Sequence, residues 1–349
     1  MFSLFNMDTV CGCINQYCSP DRVLTYFDSP SFYSTTLHLL SIIAIPTHLF
    51  GAYCILFKTP ERMISVKFSL LHLHFWTSLL DIGFSLLTTP YITVPILAGY
   101  PLGILKFTGL RYGEQAYFMI ALIGVMSVAI VGIFENRYHV LSMGNPTWQK
   151  LRIPWYIVNF IFAMTFYFPV YYTIPEDQGK QLDILFTALP CLHEEVPRSE
   201  LWVMSESPAW FLRVTGAEIG FIAFQIFAFY RLIAHYFKQF GTKLSERTVI
   251  MQKKLMRTLI LQLVIPFLIL LFPLLYCGFA AWRRYHNQAL NNLSFIIISS
   301  HGLLSTIAMI LMHLPYREEV LRLLGRRRIK DDQKVNVGFA AISLLAKLA

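Results

Sequence analysis

Seven apolar windows, each about as long as a bilayer crossing, constrain this chain more than any other feature. They are Phe32–Phe57, Phe68–Ile96, Gln115–Phe134, Ile153–Pro175, Pro208–Tyr230, Thr258–Trp282 and Ala289–Tyr316. A crossing takes about 20 mainly apolar residues. Asp81 is the one charge in the second window, and Arg213 and Glu218 are the charges of the fifth. Backbone groups in lipid have no water to bond, so stretches of this length read as α-helices. The expected fold is an all-α membrane protein, a seven-transmembrane helix bundle spanning 32–316. Only 14% of the residues are charged and 56% are hydrophobic, against roughly 25% charged in a soluble domain. This composition argues against a cytosolic enzyme and against a disordered chain. Ile96–Leu110 is glycine-rich and follows the second window too closely to be another crossing. Val335–Ala349 is too short to cross. The first residues lack a basic segment followed by an apolar run, so the first helix is expected to act as its own insertion signal.

Lysine and arginine fix the expected orientation. Of the 29, 21 fall in segments 58–67, 135–152, 231–257 and 315–349, which share one side; seven fall on the other side and Arg213 lies within a window. Cytoplasmic loops carry the excess. The reading therefore places the tail 1–31 outside the cell and 317–349 in the cytoplasm. The net charge of +9 is then a signature of topology. Nucleic acid is not an expected partner, because no basic face of a folded domain is present. Cys11, Cys13, Cys18 and Cys191 fall on the outer, oxidising side, where a bridge such as Cys18–Cys191 can form. Three mobile thiols in the tail are the competing reading.

A string of motifs is more specific. It comprises Lys-Thr-Pro-Glu-Arg-Met-Ile-Ser-Val-Lys (58–67), Leu-Leu-His-Leu-His-Phe-Trp (70–76), Leu-Leu-Asp (79–81), Pro-Tyr (90–91) and Ala-Gly-Tyr-Pro-Leu-Gly (98–103). Phe-Glu-Asn-Arg-Tyr (134–138), Leu-Pro-Cys-Leu (189–192) and Pro-Tyr-Arg (315–317) complete it. From about Cys18 to Arg328 the chain resembles the nematode serpentine receptor class H chemoreceptors, with a sister class of the same superfamily as the competing name. The resemblance implies a rhodopsin-like G-protein-coupled receptor architecture and an odorant or other small environmental chemical as ligand. It also implies a heterotrimeric G protein as partner, and the plasma membrane of ciliated chemosensory endings as location.

Glu135, Asn136, Arg137 and Tyr138 resemble the Glu/Asp-Arg-Tyr switch of rhodopsin-like receptors, with Asn136 intervening. Residues 135 and 137 lie about 200° apart on a helix, which argues against an ion pair between them. The alternative for Arg137 is a basic anchor reaching phosphate. Asp81 is costly in mid-membrane and is expected to face a partner. It resembles the second-helix aspartate that lines a polar hub, with Ser127, Ser299, Ser300 and His301 as candidate members. The first helix has no asparagine, which argues against sodium there. A protonated Asp81 bonded to a serine is the other reading. Pro266 and Pro273 interrupt the sixth window, where proline kinks a helix and the resemblance implies a swinging segment.

Segment 231–257 is expected to extend the fifth and sixth helices into the cytoplasm, and residues 318–328 to form an amphipathic helix on the inner leaflet, held by Leu321, Leu324 and arginines. Candidate ligand contacts are Glu114, Gln115, Tyr117, Tyr171, Tyr172, Arg213 and Glu218, although pairing of Arg213 with Glu218 is favoured over ligand contact. Segment 176–207 has two basic and seven acidic residues, read either as a cation-attracting loop or as a solvated face. No cofactor or metal is expected, because His72/His74 and His301/His313 lack the spacing of adjacent ligands. This disfavours a seven-helix zinc hydrolase. A transporter would tend to show repeated halves and a channel a polar pore stripe; the sequence displays neither, and a ligand-gated channel or transporter is kept as the alternative.

Overall fold

A computed structural model describes residues 25–325, apart from 96, 143–144, 189–195, 206–207, 241–245 and 284. Its long helices are α1 (Pro30–Lys58), α2 (Ile64–Ile82), α3 (Tyr112–Leu141), α4 (Pro146–Thr165), α5 (Pro208–Phe240), α6 (Glu246–Arg283) and α7 (Gln288–Met312), followed by a short α8 (Leu314–Leu323). Their starts follow from local chemistry. Ser29 Oγ accepts from Phe32 N ahead of α1, Asn145 Oδ1 accepts from Thr147 N and Trp148 N ahead of α4, and Asn287 Oδ1 accepts from Leu290 N ahead of α7. Each cap satisfies amide groups that the first helical turn leaves unbonded. Pro30 and Pro146 sit where no amide hydrogen is needed.

Among the described residues six helical segments are long and apolar enough to cross a bilayer: Pro30–Lys58, Ile64–Leu87, Tyr112–Leu141, Pro146–Tyr171, Trp210–Gln239 and Gln288–Met312. Phe267–Arg283, within α6, adds a shorter apolar stretch. The protein is a multi-pass membrane protein. Large apolar side chains such as Ile42, Leu49, Phe57 and Phe224 are exposed on the helices' outer faces, as lipid contact requires. α3 is the most buried span and packs against α2, α4 and α5, while α7 packs against α1, α2 and α6.

The second window is corrected at its end. α2 closes with a π-helical turn over Gly83–Leu87, and the chain then becomes strand β1 (Pro90–Thr93) instead of staying helical to Ile96. Pro90 supplies the reason: it lacks an amide hydrogen and disfavours helical geometry in the residue before it. Thr89 there adopts φ 42°. β2 (Ala98–Pro101) pairs antiparallel with β1, Tyr91 opposite Tyr100 and Ile92 opposite Gly99; β3 (Trp202–Val203) pairs antiparallel with β2. A Cβ on Gly99 would lie 2.3 Å from the Tyr91 carbonyl oxygen, so that close approach needs glycine. The bundle thus carries a three-stranded sheet that hydropathy did not reveal.

A loop helix, Gln178–Ala188, packs near β3. Its Leu182, Leu185 and Phe186 join Tyr33, Tyr91, Tyr100 and Val203 in one apolar cluster. Sheet and loop helix cover one end of the bundle, the hairpin end. α8 marks the opposite, basic end.

The seventh window breaks at His313, whose backbone is extended (φ −91°, ψ 111°). The expected 318–328 helix therefore begins earlier, at Leu314, and residues from 326 onward lie outside the described residues. α8 is docked by polar contacts: Tyr316 Oη lies 2.7 Å from Thr59 Oγ1, and Glu319 accepts from Tyr53 Oη (3.2 Å) and from Arg322 Nη2 (2.7 Å), with Lys58 Nζ 3.3 Å away. Arg322 first, then Lys58 and Tyr53, hold the Glu319 carboxyl at about 2, well below the usual carboxylate range.

Candidate functional site

Asp81 sits on the last full turn of α2 and is completely buried. Its carboxylate meets α7 end-on: Gly302 N donates to Oδ1 (3.0 Å) and Leu303 N to Oδ2 (2.7 Å). His301 Nδ1 lies 3.1 Å from Oδ1, and His48 Nε2, from α1, lies 3.3 Å from Oδ2. His48 Nδ1 is in turn 2.9 Å from Thr306 Oγ1. Gly302 makes this possible, because a Cβ there would lie 2.6 Å from Asp81 Cγ and from both its oxygens. Of the expected hub members, only His301 reaches Asp81. The three serines are corrected: Ser127 Oγ donates to Ile123 O, Ser299 to Phe295 O and Ser300 to Ile297 O. A hydroxyl in a helix finds the carbonyl three or four residues back nearer than any partner across the bundle. His48 and Thr306 are the members that the sequence reading missed.

At the basic end of α3 the four candidate switch residues divide. Glu135 is fully buried and is held by side chains of α4: Arg152 Nε lies 2.9 Å from its Oε1, Trp148 Nε1 donates to Oε1 (3.0 Å) and Tyr156 Oη donates to Oε2 (3.0 Å). Asn136 Nδ2 donates to Ser65 O (2.7 Å), and its Oδ1 accepts from Arg152 Nη2 (3.1 Å). Tyr138 packs on Trp148 and Phe229. Arg137 is 2% exposed, and its three guanidinium nitrogens have no hydrogen-bond partner among the described residues. The acid is thus engaged by the neighbouring helix and the arginine is left alone.

The candidate ligand contacts scatter at the hairpin end. Glu114 Oε2 accepts from Arg111 N and caps α3. Gln115 Nε2 donates to Leu110 O (3.0 Å), and this ties down the preceding loop. Tyr117 Oη donates to Met164 O, and its ring stacks on Phe168. Tyr172 is exposed and distant from the bundle interior. Arg213 is exposed while Glu218 is buried, and no ion pair joins them. That expected pairing is corrected, because residues five apart on a helix point in different directions. Glu218 lies against Tyr167 and α3 at Gly124. Tyr117 and Tyr171 do converge, on a cleft of about 20 Å³ completed by Gly113, Tyr167, Ile174 and Trp202. That volume holds about one water molecule.

A family model described as "Serpentine type 7TM GPCR chemoreceptor Srh" matches residues 28–326. The chain belongs to this family. It is also 27% identical over 312 residues to Serpentine receptor class H-72 of Caenorhabditis elegans, covering 86% of this chain and 87% of that protein. As an Srh protein it is a serpentine chemoreceptor of the seven-helix, G-protein-coupled-receptor type. The Srh-like motifs now have structural places. Pro90-Tyr91 and 98–101 form the hairpin, and Asp81 and Phe134–Tyr138 build the two buried polar sites. Tyr316-Arg317 lies in the first turn of α8.

The remaining candidates stand as follows. Pro266 and Pro273 both lie inside the continuous helix α6. Cys18 and Cys191, the expected bridge, lie outside the described residues. Asn292, the asparagine of the sequon Asn292-Leu293-Ser294, is buried and donates to Phe27 O and Asp28 O, so its amide is unavailable to a glycan in this fold. Among the described residues no group of three or more histidine, cysteine or acidic side chains is placed to hold a metal ion.

Proposed function

We propose that this Srh receptor binds a small environmental chemical from outside the cell and activates a heterotrimeric G protein at its basic, cytoplasmic end. In this reading the amino terminus lies outside, and the receptor sits in the plasma membrane of chemosensory endings. The supporting observation is Arg137. Guanidinium is always charged, and a buried charge without a partner costs several kcal/mol. An acceptor inserted between the helices at the basic end would recover that cost, and a G-protein segment is such an acceptor. Glu135, held by Arg152, leaves Arg137 free for that contact. Tyr117 and Tyr171 mark the region where a ligand would enter, which requires the cleft there to widen.

The test expresses the full chain with a cAMP or calcium reporter and screens volatile and soluble compounds. With a compound that evokes a response, Arg137→Ala should bind it undiminished and lose the response. Equal signalling from this variant overturns the switch. Current that persists with G-protein signalling blocked would instead assign a ligand-gated channel or transporter.

A further inference from the structure

The cleft at the hairpin end is aromatic and uncharged. Its rings are those of Tyr117, Tyr167, Tyr171 and Trp202, and no charged side chain lines it. Tyr117 is fixed by its hydroxyl bond to Met164 O and by stacking on Phe168. Tyr171 meets it edge-on, with ring centres 6.0 Å apart. Tyr167 connects this cleft to a charge. Its hydroxyl lies 3.0 Å from Thr215 Oγ1 and faces the Glu218 carboxyl. Glu218 is 6% exposed. It lies against α3 where Gly124 has no side chain, since a Cβ there would be 3.3 Å from Glu218 Oε1. Gly124 comes four residues after Ile120 of the cleft wall, about 6 Å along the helix. The carboxyl therefore sits one helical turn beneath the cleft, with Tyr167 between. Among the described residues no cation answers it, and Tyr167 is the one side chain that acts on it. Arg213, five residues earlier on α5, is exposed. A carboxylate has about four acceptor sites, and one phenol hydroxyl fills at most one of them.

We propose that the ligand of this receptor is a small organic amine, whose ammonium group passes the aromatic walls of the cleft and pairs with Glu218. The proposal rests on the chemoreceptor reading above and names the chemical class that reading leaves open. An ammonium group is attracted to ring faces within about 6 Å, and once buried it needs an opposite charge. The cleft and Glu218 offer the two in series. An anion would meet the Glu218 carboxyl and find no basic group. A neutral odorant would fill the rings and leave the remaining acceptor sites of Glu218 unanswered. The entrance also favours a cation: the chain runs from Ile174 of the cleft wall into Glu176 and Asp177, both exposed, and acidic surface draws cations toward a cleft. Size follows from the same walls. The cleft of about 20 Å³ holds about one water, so a ligand enters only by displacing side chains. Trp202 is half-buried and Tyr171 exposed, and these are the walls that can yield. That limits the amine to a single ring or a short chain.

The test reads binding without signalling. It follows thermal unfolding of the full chain in phosphatidylcholine nanodiscs, because a ligand that binds only the folded state raises the midpoint. The probes are phenethylamine, isoamylamine and cyclohexylamine at about 1 mM, the weak end of small-molecule affinity. Each is paired with the alcohol of the same carbon skeleton, and phenylacetate serves as the anion. At least one amine should raise the midpoint, while its alcohol and phenylacetate should not. Glu218→Gln keeps the shape of the side chain and removes its charge. It should weaken the amine by roughly thirtyfold or more, the lower end of what losing one partner of a buried charge pair costs. Ala116→Phe fills the cleft and leaves Glu218 in place. It should also abolish the shift, and it keeps the test decisive if Glu218→Gln fails to fold. No shift from any amine, equal shifts from an amine and its alcohol, or an amine shift that survives either variant overturns the proposal. The receptor reading fails separately, if an amine that binds evokes no reporter response. A response to a neutral odorant that Glu218→Gln leaves intact keeps the receptor and removes the amine.

Discussion

Gly302→Ala puts a methyl group into the Asp81 carboxylate, and the structure sets the cost. The added Cβ would lie 2.6 Å from Cγ, Oδ1 and Oδ2, whereas non-bonded carbon is at ease near 3.5–4.0 Å. The carboxylate must retreat by about 1 Å. Its bonds to Gly302 N and Leu303 N, now 3.0 and 2.7 Å, then stretch beyond useful length. Hydrogen bonds to a charged acceptor contribute about 1.5–3 kcal/mol each, so two lost bonds amount to roughly 3–6 kcal/mol. The assay is a double-mutant cycle on unfolding in nanodiscs with Asp81→Ala, which removes the group that the methyl strikes. In that background Gly302→Ala should be nearly free, giving a coupling at or above the top of the usual ~0.5–3 kcal/mol range for neighbours. A Gly302→Ala cost that is small, or equal in both backgrounds, would refute the end-on carboxylate contact.

Arg152→Ala leaves Glu135 buried with only Trp148 and Tyr156 as donors. Breaking such a pair should cost about 3–5 kcal/mol, read as a lowered unfolding midpoint, and adding Glu135→Gln should restore much of it. Docking of α8 should depend on acid. The Glu319 carboxyl is held at about 2, below its unfolded value, so its contribution is complete above ordinary carboxylate pH and is lost as pH falls from about 4.5 toward 2. Spin labels on α1 and α8 should separate over that window, while Glu319→Gln should show no such transition.

Hydropathy made the helices legible because a crossing must be long, apolar and internally bonded. It concealed the hairpin because Tyr91, Ile92 and Val94 are as apolar as the helix before them. Only Pro90, Pro95, Gly99, Pro101 and Gly103 mark the change, and proline alone does not distinguish a break from a kink: Pro46 and Pro154 sit inside α1 and α4. Within the polar sites, a single residue's burial could be foreseen but its partner could not. Asp81 had to be satisfied, yet that its donors include His48, thirty-three residues earlier, depends on how α1 rotates against α2. The helical angle between 135 and 137 denied one ion pair but could not name Arg152, which comes from the next helix. Serine hydroxyls misled because sequence shows a polar group and hides the carbonyl waiting on the same helix.

Asp81 grips the seventh helix by its main chain, and this has an evolutionary corollary. Position 303 contributes only an amide hydrogen, so any amino acid except proline preserves the latch, whatever side chain it brings. Its neighbour enjoys no such licence. A chain that keeps the aspartate and the glycine at these two places can therefore rewrite most of the surrounding surface without losing the fastening.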